Sequence, residues 1–127
     1  MNSGSPLLDS SAVNQLRQVA GDDSSLLNEL FQLFESDAAT LLAQLDEAMV
    51  NGDAAAIRQF AHALKGGAAN VGAARLAAQC LNLETLARAE TASLTPERRR
   101  ELMQGLRVCC EESRRAIRSE FQMTVPS

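Results

Sequence analysis

Apolar residues recur at intervals of three and four along nearly the whole chain, and proline occurs only at positions 6, 96 and 126. That spacing marks helices with one core-facing stripe each, and nothing between Pro6 and Pro96 forbids helix by proline chemistry. Five helices are predicted. A short first one follows the cap candidates Asp9, Ser10 and Ser11, carries Val13, Leu16 and Val19, and ends at Gly21. A long second one starts near Ser24 and stops before Asn51-Gly52, with Leu27, Phe31, Phe34, Ala38, Leu41, Leu45 and Ala48 as its stripe. Asp53 caps a third, which runs to about Asn70 with Ile57, Phe60, Ala61, Leu64, Ala68 and Val71 inward.

Gly72 punctuates the chain before a fourth helix, roughly Ala73 to Glu90, with Leu76, Cys80, Leu83 and Ala87 on its inner face. Thr95-Pro96-Glu97 restarts the helix with a cap residue, a proline at the first position and an acid in the first turn. This fifth helix is expected to bury Leu102, Leu106, Cys109, Ala116 or Ile117, and Phe121. Four long amphipathic helices joined by short loops predict an all-α fold. The form expected is an antiparallel four-helix bundle with a short additional N-terminal helix. Residues 1–8 read as a linker or disordered N-terminus, 9–123 as the bundle and 124–127 as a disordered C-terminus.

Composition narrows the function. At 127 residues the chain fits one domain. A net charge of −4, with no Lys/Arg stripe backed by aromatic residues, argues against nucleic acid. No apolar run reaches transmembrane length, and Met1 to Ser10 lacks the basic start and apolar stretch of a signal peptide. The three cysteines, Cys80, Cys109 and Cys110, form no CxxC pair and read as buried or idle thiols of a reducing compartment. A cytoplasmic monomer without direct membrane contact is expected.

The one histidine stands out. At about 100° per residue, His62 points roughly 140° from the centre of the third helix's stripe, and so toward solvent. Gly66 and Gly67 follow one turn on, although a glycine inside a helix costs about 1 kcal/mol relative to alanine. What they supply is absence of bulk, continued by Ala63 and Ala69, so that another protein can approach the imidazole. Lys65 and Arg58 flank the same face and could offset a phosphoryl group of roughly 1.5 to 2 negative charges. The bland alternative is that His62 is incidental and the glycines serve helix packing. A single histidine without arranged cysteines or carboxylates makes no metal site, and no motif places a serine or cysteine nucleophile.

The segment from Ala61-His62-Ala63-Leu64-Lys65-Gly66-Gly67-Ala68 to Gly72-Ala73-Ala74-Arg75-Leu76 resembles the signature of histidine-phosphotransfer (HPt) domains. The likeness continues through Ala77, Cys80, Leu83 and Glu84, about 25 residues in all. It implies a four-helix bundle with an exposed mid-helix histidine that carries a phosphoryl group. By that resemblance His62 matches the phosphoryl acceptor, Lys65 the lysine beside the phosphoryl group, and Gly66 the glycine that leaves room for the partner. Glu84 falls where some members place a glutamine that orients the imidazole. It would either do the same or merely form a salt bridge. Gly67 departs from the family's more usual serine, so a hydroxyl contact is not expected there.

The implied partners are response-regulator receiver domains. A receiver aspartyl phosphate would be attacked by a neutral ring nitrogen of His62, and the group later passed to another receiver aspartate. The chain needs no cofactor of its own, since Mg²⁺ and most charge stabilisation lie on the receiver. Gln59, Ala63 and Ala69 would contact that partner. Leu26, Leu30 and Leu33, displaced from the second helix's main stripe, either join them or receive the first helix.

Three other readings compete. A histidine kinase dimerisation domain follows its histidine with an acid and a nearby proline, which His62 lacks, and no glycine-rich nucleotide-binding segment suggests ATP-dependent kinase activity. The phosphotransfer segment of a chemotaxis kinase has a similar Lys-Gly-Gly run, but kinase domains are absent from these residues. A non-catalytic helical adaptor with His62 incidental is the alternative of another class. Free-standing shuttle and C-terminal module of a hybrid sensor kinase both stay open.

Overall fold

A computed structural model describes residues 5–21, 23–89 and 94–121. Among them are five helices and no strand: α1 (Ser10–Ala20), α2 (Ser24–Asn51), α3 (Ala54–Asn70), α4 (Ala74–Arg88) and α5 (Pro96–Glu120). Asp9, Asp23, Asp53 and Thr95 each accept a hydrogen bond from an amide of the following turn, those of Ser11, Leu26, Ala56 and Arg98. These bonds satisfy donors that a helix start leaves without partners. Of the expected N-terminal stretch 1–8, residues 1–4 lie outside the described residues, as do residues 22, 90–93 and 122–127, which include the expected C-terminal stretch 124–127.

The bundle has α3 packed on α2 and α4, and α5 packed on the same two helices from the other side. One core runs through it, built on Phe31, Leu45, Ile57, Leu64, Leu76 and Leu106, all at 2% exposure or less. Cys80, Cys109 and Cys110 are free and buried in it. Burial pushes the Cys80 thiol up to about 12 and Cys110 to about 11, so both act as small apolar side chains.

The structure corrects the predicted stripes in detail. On α2 the buried leucine is Leu42, and Leu41 is half-buried, while Met49 joins Leu45 and Ala48 inside. A strict three-four alternation assumes 3.5 residues per turn, and a helix of 3.6 drifts about 20° per heptad. By the third heptad the inward position has moved on by one. On α5 Met103 is inside and Leu102 half-buried, Ile117 and not Ala116 takes the buried place, and Phe121, like Phe60 on α3, is half-buried.

Among the described residues three polar ones are buried as well: Glu84, Ser113 and Arg118. Arg118 holds α5 to α2 through a bidentate pair with Glu35, Nη2 to Oε1 at 2.7 Å and Nε to Oε2 at 2.9 Å. It also donates to Asn28 Oδ1 at 3.2 Å, and Arg114 reaches Glu35 Oε2 at 3.4 Å. Such a fork is the strong form of an ion pair.

The helix α1 is outside the four-helix core and is tied on at both of its ends. Asp9 N donates to Gly72 O at 2.8 Å, and Arg75 donates from N to Leu7 O and from Nε to Ser5 O. At the other end Arg17 donates to Glu120 Oε1 at 2.8 Å and lies over the Phe121 ring, whose centroid is 5.3 Å from that of Phe31. Gly72 is required at the first tie. Its φ is 78°, and a Cβ there would stand 3.3 Å from both Ala12 Cβ and Val13 Cγ2.

Gly72→Ala should therefore destabilise the protein by roughly 1–3 kcal/mol from backbone strain alone, with α1 loosened first. Urea denaturation and amide exchange of α1 would measure it, and an unchanged midpoint would count against the strain. A second expectation concerns acid. The Arg118 hydrogen bond, above all, holds the Glu35 carboxyl below its ordinary value of 4.5, against the opposing effect of burial. A depressed folded value means that the stability from ionised Glu35 is complete above pH 4.5 and is lost as pH falls through the folded value. Glu35→Gln should thus be less stable than the wild type at neutral pH, and the gap should narrow in acid. A gap that stays constant with pH would refute the linkage.

Candidate functional site

Because Ala61, Leu64 and Ala68 take the buried positions of α3, His62 is turned outward, and its side chain is 68% exposed. It is not loose there. His62 Nδ1 is 3.1 Å from Glu84 Oε2, across the α3–α4 contact. Glu84 sits on the edge of α4's inner face at 5% exposure and collects two further donors. Lys65 Nζ lies 2.8 Å from Oε1 and Arg88 Nη2 3.1 Å from Oε2. The Lys65 hydrogen bond is the main reason that the Glu84 carboxyl titrates below its ordinary value, with His62 adding to it and burial opposing.

An ionised carboxylate can only accept, so the ring nitrogen facing it must carry the proton. In the neutral imidazole this leaves the lone pair on Nε2, the nitrogen turned away from Glu84. The site is thus a fixed tautomer with its nucleophilic atom outward. A hydrogen-bonded carboxylate is also placed to stabilise positive charge when that atom bonds to an electrophile.

The glycines behave unequally. Around a Cβ built at Gly66 nothing lies within 4 Å, so no internal packing calls for glycine. At Gly67 a Cβ would meet only Phe34 Cδ1 at 3.9 Å, an ordinary contact that a serine or alanine would also make. Gln59, Ala63 and Ala69 are exposed on the same helix. Arg58 is half-buried one turn before His62 and takes part in no hydrogen bond or ion pair of the cluster. The cation that does reach it, Arg88, was not singled out by the motif, although its i,i+4 spacing from Glu84 was the available signal.

The three leucines of α2 divide. Leu26 turns toward the core, while Leu30 and Leu33 are exposed at 37% and 60%. These two line a hollow of about 160 Å³ with Leu16 of α1, Phe34, and Leu64 and Gly67 of α3. Leu16 of α1 approaches the leucines, and apolar surface stays open beside the His62 helix. A larger cavity, about 670 Å³, opens elsewhere, between α4 and α5 around Gln79, Asn82 and Gly105, and includes none of the candidate residues. Among the described residues no group of His, Cys, Asp and Glu could hold a metal ion.

Residues 29–118 match the family model described as Hpt domain. The chain belongs to the Hpt domain family. Hpt domains perform histidine phosphotransfer in two-component phosphorelays, working with response-regulator receiver domains. Of solved structures, the crystal structure of histidine-containing phosphotransfer protein B (HptB) from Pseudomonas aeruginosa PAO1 is similar, at 31% identity and a TM-score of 0.75. The likeness covers 93% of this chain and 96% of that one. No curated protein sequence matches. The family match begins inside α2, so α1 lies outside it, although Gly72 and Arg75, to which its start is tied, lie within it.

Open space at Gly66 gives a test in which stability and function part company. Gly66→Ala should stabilise α3 by about 1 kcal/mol, since only helix propensity changes. The added methyl would meet an approaching protein and weaken docking by about 1–3 kcal/mol, roughly five- to 150-fold. Thermal unfolding and receiver titration would measure the two effects, and unaltered receiver affinity would remove the reason given for the glycine.

Proposed function

We propose that His62 is the phosphoryl acceptor of this Hpt domain and that Nε2 is the bonding atom. The observation that carries the reading is the 3.1 Å contact from His62 Nδ1 to the buried Glu84 carboxylate. It orients an otherwise exposed ring and leaves its lone pair toward solvent. The lone pair on Nε2 attacks the phosphorus of a receiver aspartyl phosphate, the P–O bond breaks, and its electron pair stays on the aspartate. The ring is then cationic, with its Nδ1 proton held against Glu84. In the onward step a receiver carboxylate attacks phosphorus, the P–N bond breaks, and its electrons return to Nε2.

This side supplies position and charge rather than acid–base chemistry, as phosphoryl transfer commonly requires. Mg²⁺ belongs to the receiver on this reading. The receiver would dock over Gly66 and the small residues Ala63 and Ala69, with Gln59 at the margin and the hollow beside Leu30 and Leu33 as the apolar contact. We place the domain in the cytoplasm as a monomer; no described helix is long and apolar enough to cross a membrane. The same chemistry serves a free-standing shuttle or a module of a hybrid sensor kinase.

Incubation with a labelled receiver domain tests the assignment. The wild type should take up acid-labile, alkali-stable label, and His62→Gln should take up none while unfolding within about 0.5 kcal/mol of the wild type. Label on the variant, or on neither protein with several receivers, would defeat the assignment and favour a helical binding module.

A further inference from the structure

Two cations meet one buried carboxylate at this site, and their surroundings differ. Lys65 lies on α3 with His62, and its side chain is 28% exposed. Arg88 lies on α4 one turn beyond Glu84, with its side chain 63% exposed. A carboxylate shielded from water must keep a partner, because an uncompensated buried charge is strongly unfavourable. One cation meets that need, so the second calls for a reason.

The reason lies in the charge that comes and goes. On the reading proposed above, phosphorylation adds roughly 1.5 to 2 negative charges at Nε2, next to a lysine whose ammonium is committed to Glu84 at 2.8 Å. If Lys65 were the only partner of Glu84, turning to the phosphoryl group would strand the carboxylate. We propose that Arg88 is a positioning residue for the phosphorylated state: it keeps Glu84 paired through Oε2 when Lys65 turns from Oε1 to the phosphoryl group.

The division follows the geometry. Arg88 and His62 share Oε2, while Lys65 alone occupies Oε1, so Lys65 can leave without disturbing the contact that orients the ring. The Nδ1 proton stays between ring and carboxylate in both directions of transfer, and Glu84 has to remain ionised and in place throughout. With both cations present, two positive charges face one negative one beside the ring, a surplus that favours an arriving phosphoryl group. The arrangement makes Arg88 part of the relay although it touches neither His62 nor the transferred group.

The experiment compares the ¹⁵N-labelled wild type with Arg88→Gln and Arg88→Lys. Each is phosphorylated by a receiver domain and, separately, by phosphoramidate, which loses ammonia as Nε2 bonds to phosphorus. Arg88→Gln should slow receiver-driven transfer by roughly tenfold or less, well short of the ~100-fold or more typical of a donor that touches the developing charge itself. Its Tm should be unchanged, and Arg88→Lys should restore the rate. The Lys65 Nζ resonance should move on phosphorylation in the wild type and stay in place in Arg88→Gln. Transfer at the wild-type rate in Arg88→Gln, no rescue by lysine, or a Lys65 resonance that ignores phosphorylation would each overturn the proposal. A wild type that takes label from neither donor would overturn the relay reading itself, and the proposal with it.

Discussion

The site depends on a single buried carboxylate. Glu84 stands at the seam where α3 and α4 pack most closely, and it binds three donors from two helices. Two are cations, either of which can compensate its buried charge, and the third is the imidazole whose direction it sets. Stability and chemistry are joined here, since an ionised group inside a bundle persists only with good partners. That requirement is what keeps an exposed histidine in one orientation. A neutral side chain at the same place could accept from Nδ1 but would leave Lys65 and Arg88 without a counter-charge.

The helix that carries His62 is divided cleanly between two tasks. Its inner positions are small or aliphatic and fully enclosed, so α3 sits close against both neighbours. Its outer positions are small and open, and Gly66 has free space where a side chain would be. The rigid face positions the imidazole, and the bare face leaves it open to approach. The ion pairs of Arg118 and Glu35 lie on the opposite contact, between α5 and α2, and hold the bundle without touching the site.

How far the sequence could be read follows from which forces are local. Helix limits were legible because caps, Asn51-Gly52 and Thr95-Pro96 act within one turn. The outward direction of His62 was legible because it depends on angle alone. The switch from Leu41 to Leu42 was not, since a small angular drift accumulates unseen along a helix of 28 residues. The interior places of Glu84 and Arg118 were hidden for another reason. Charged residues read as solvated until a partner is known, and Glu35 lies 83 positions from Arg118 along the chain. Lys65 came from a motif, whereas Arg88 came only from coordinates, because it answers to Glu84 and not to the histidine. Arg58 showed the converse, sharing a face with His62 without joining its hydrogen bonds.

The two ties of α1 also settle how this domain would hang in a longer polypeptide. The segment from Ser5 to Asp9 is stitched to the α3–α4 turn, and Arg17 clasps Glu120 where α5 ends. Entrance and exit thus share one pole of the bundle, far from the α2–α3 turn at Gly52. Anything fused before or after the domain would pull on that pole only. The imidazole stands half-way along α3, on the flank of the bundle and not at the pole where the chain would be hung.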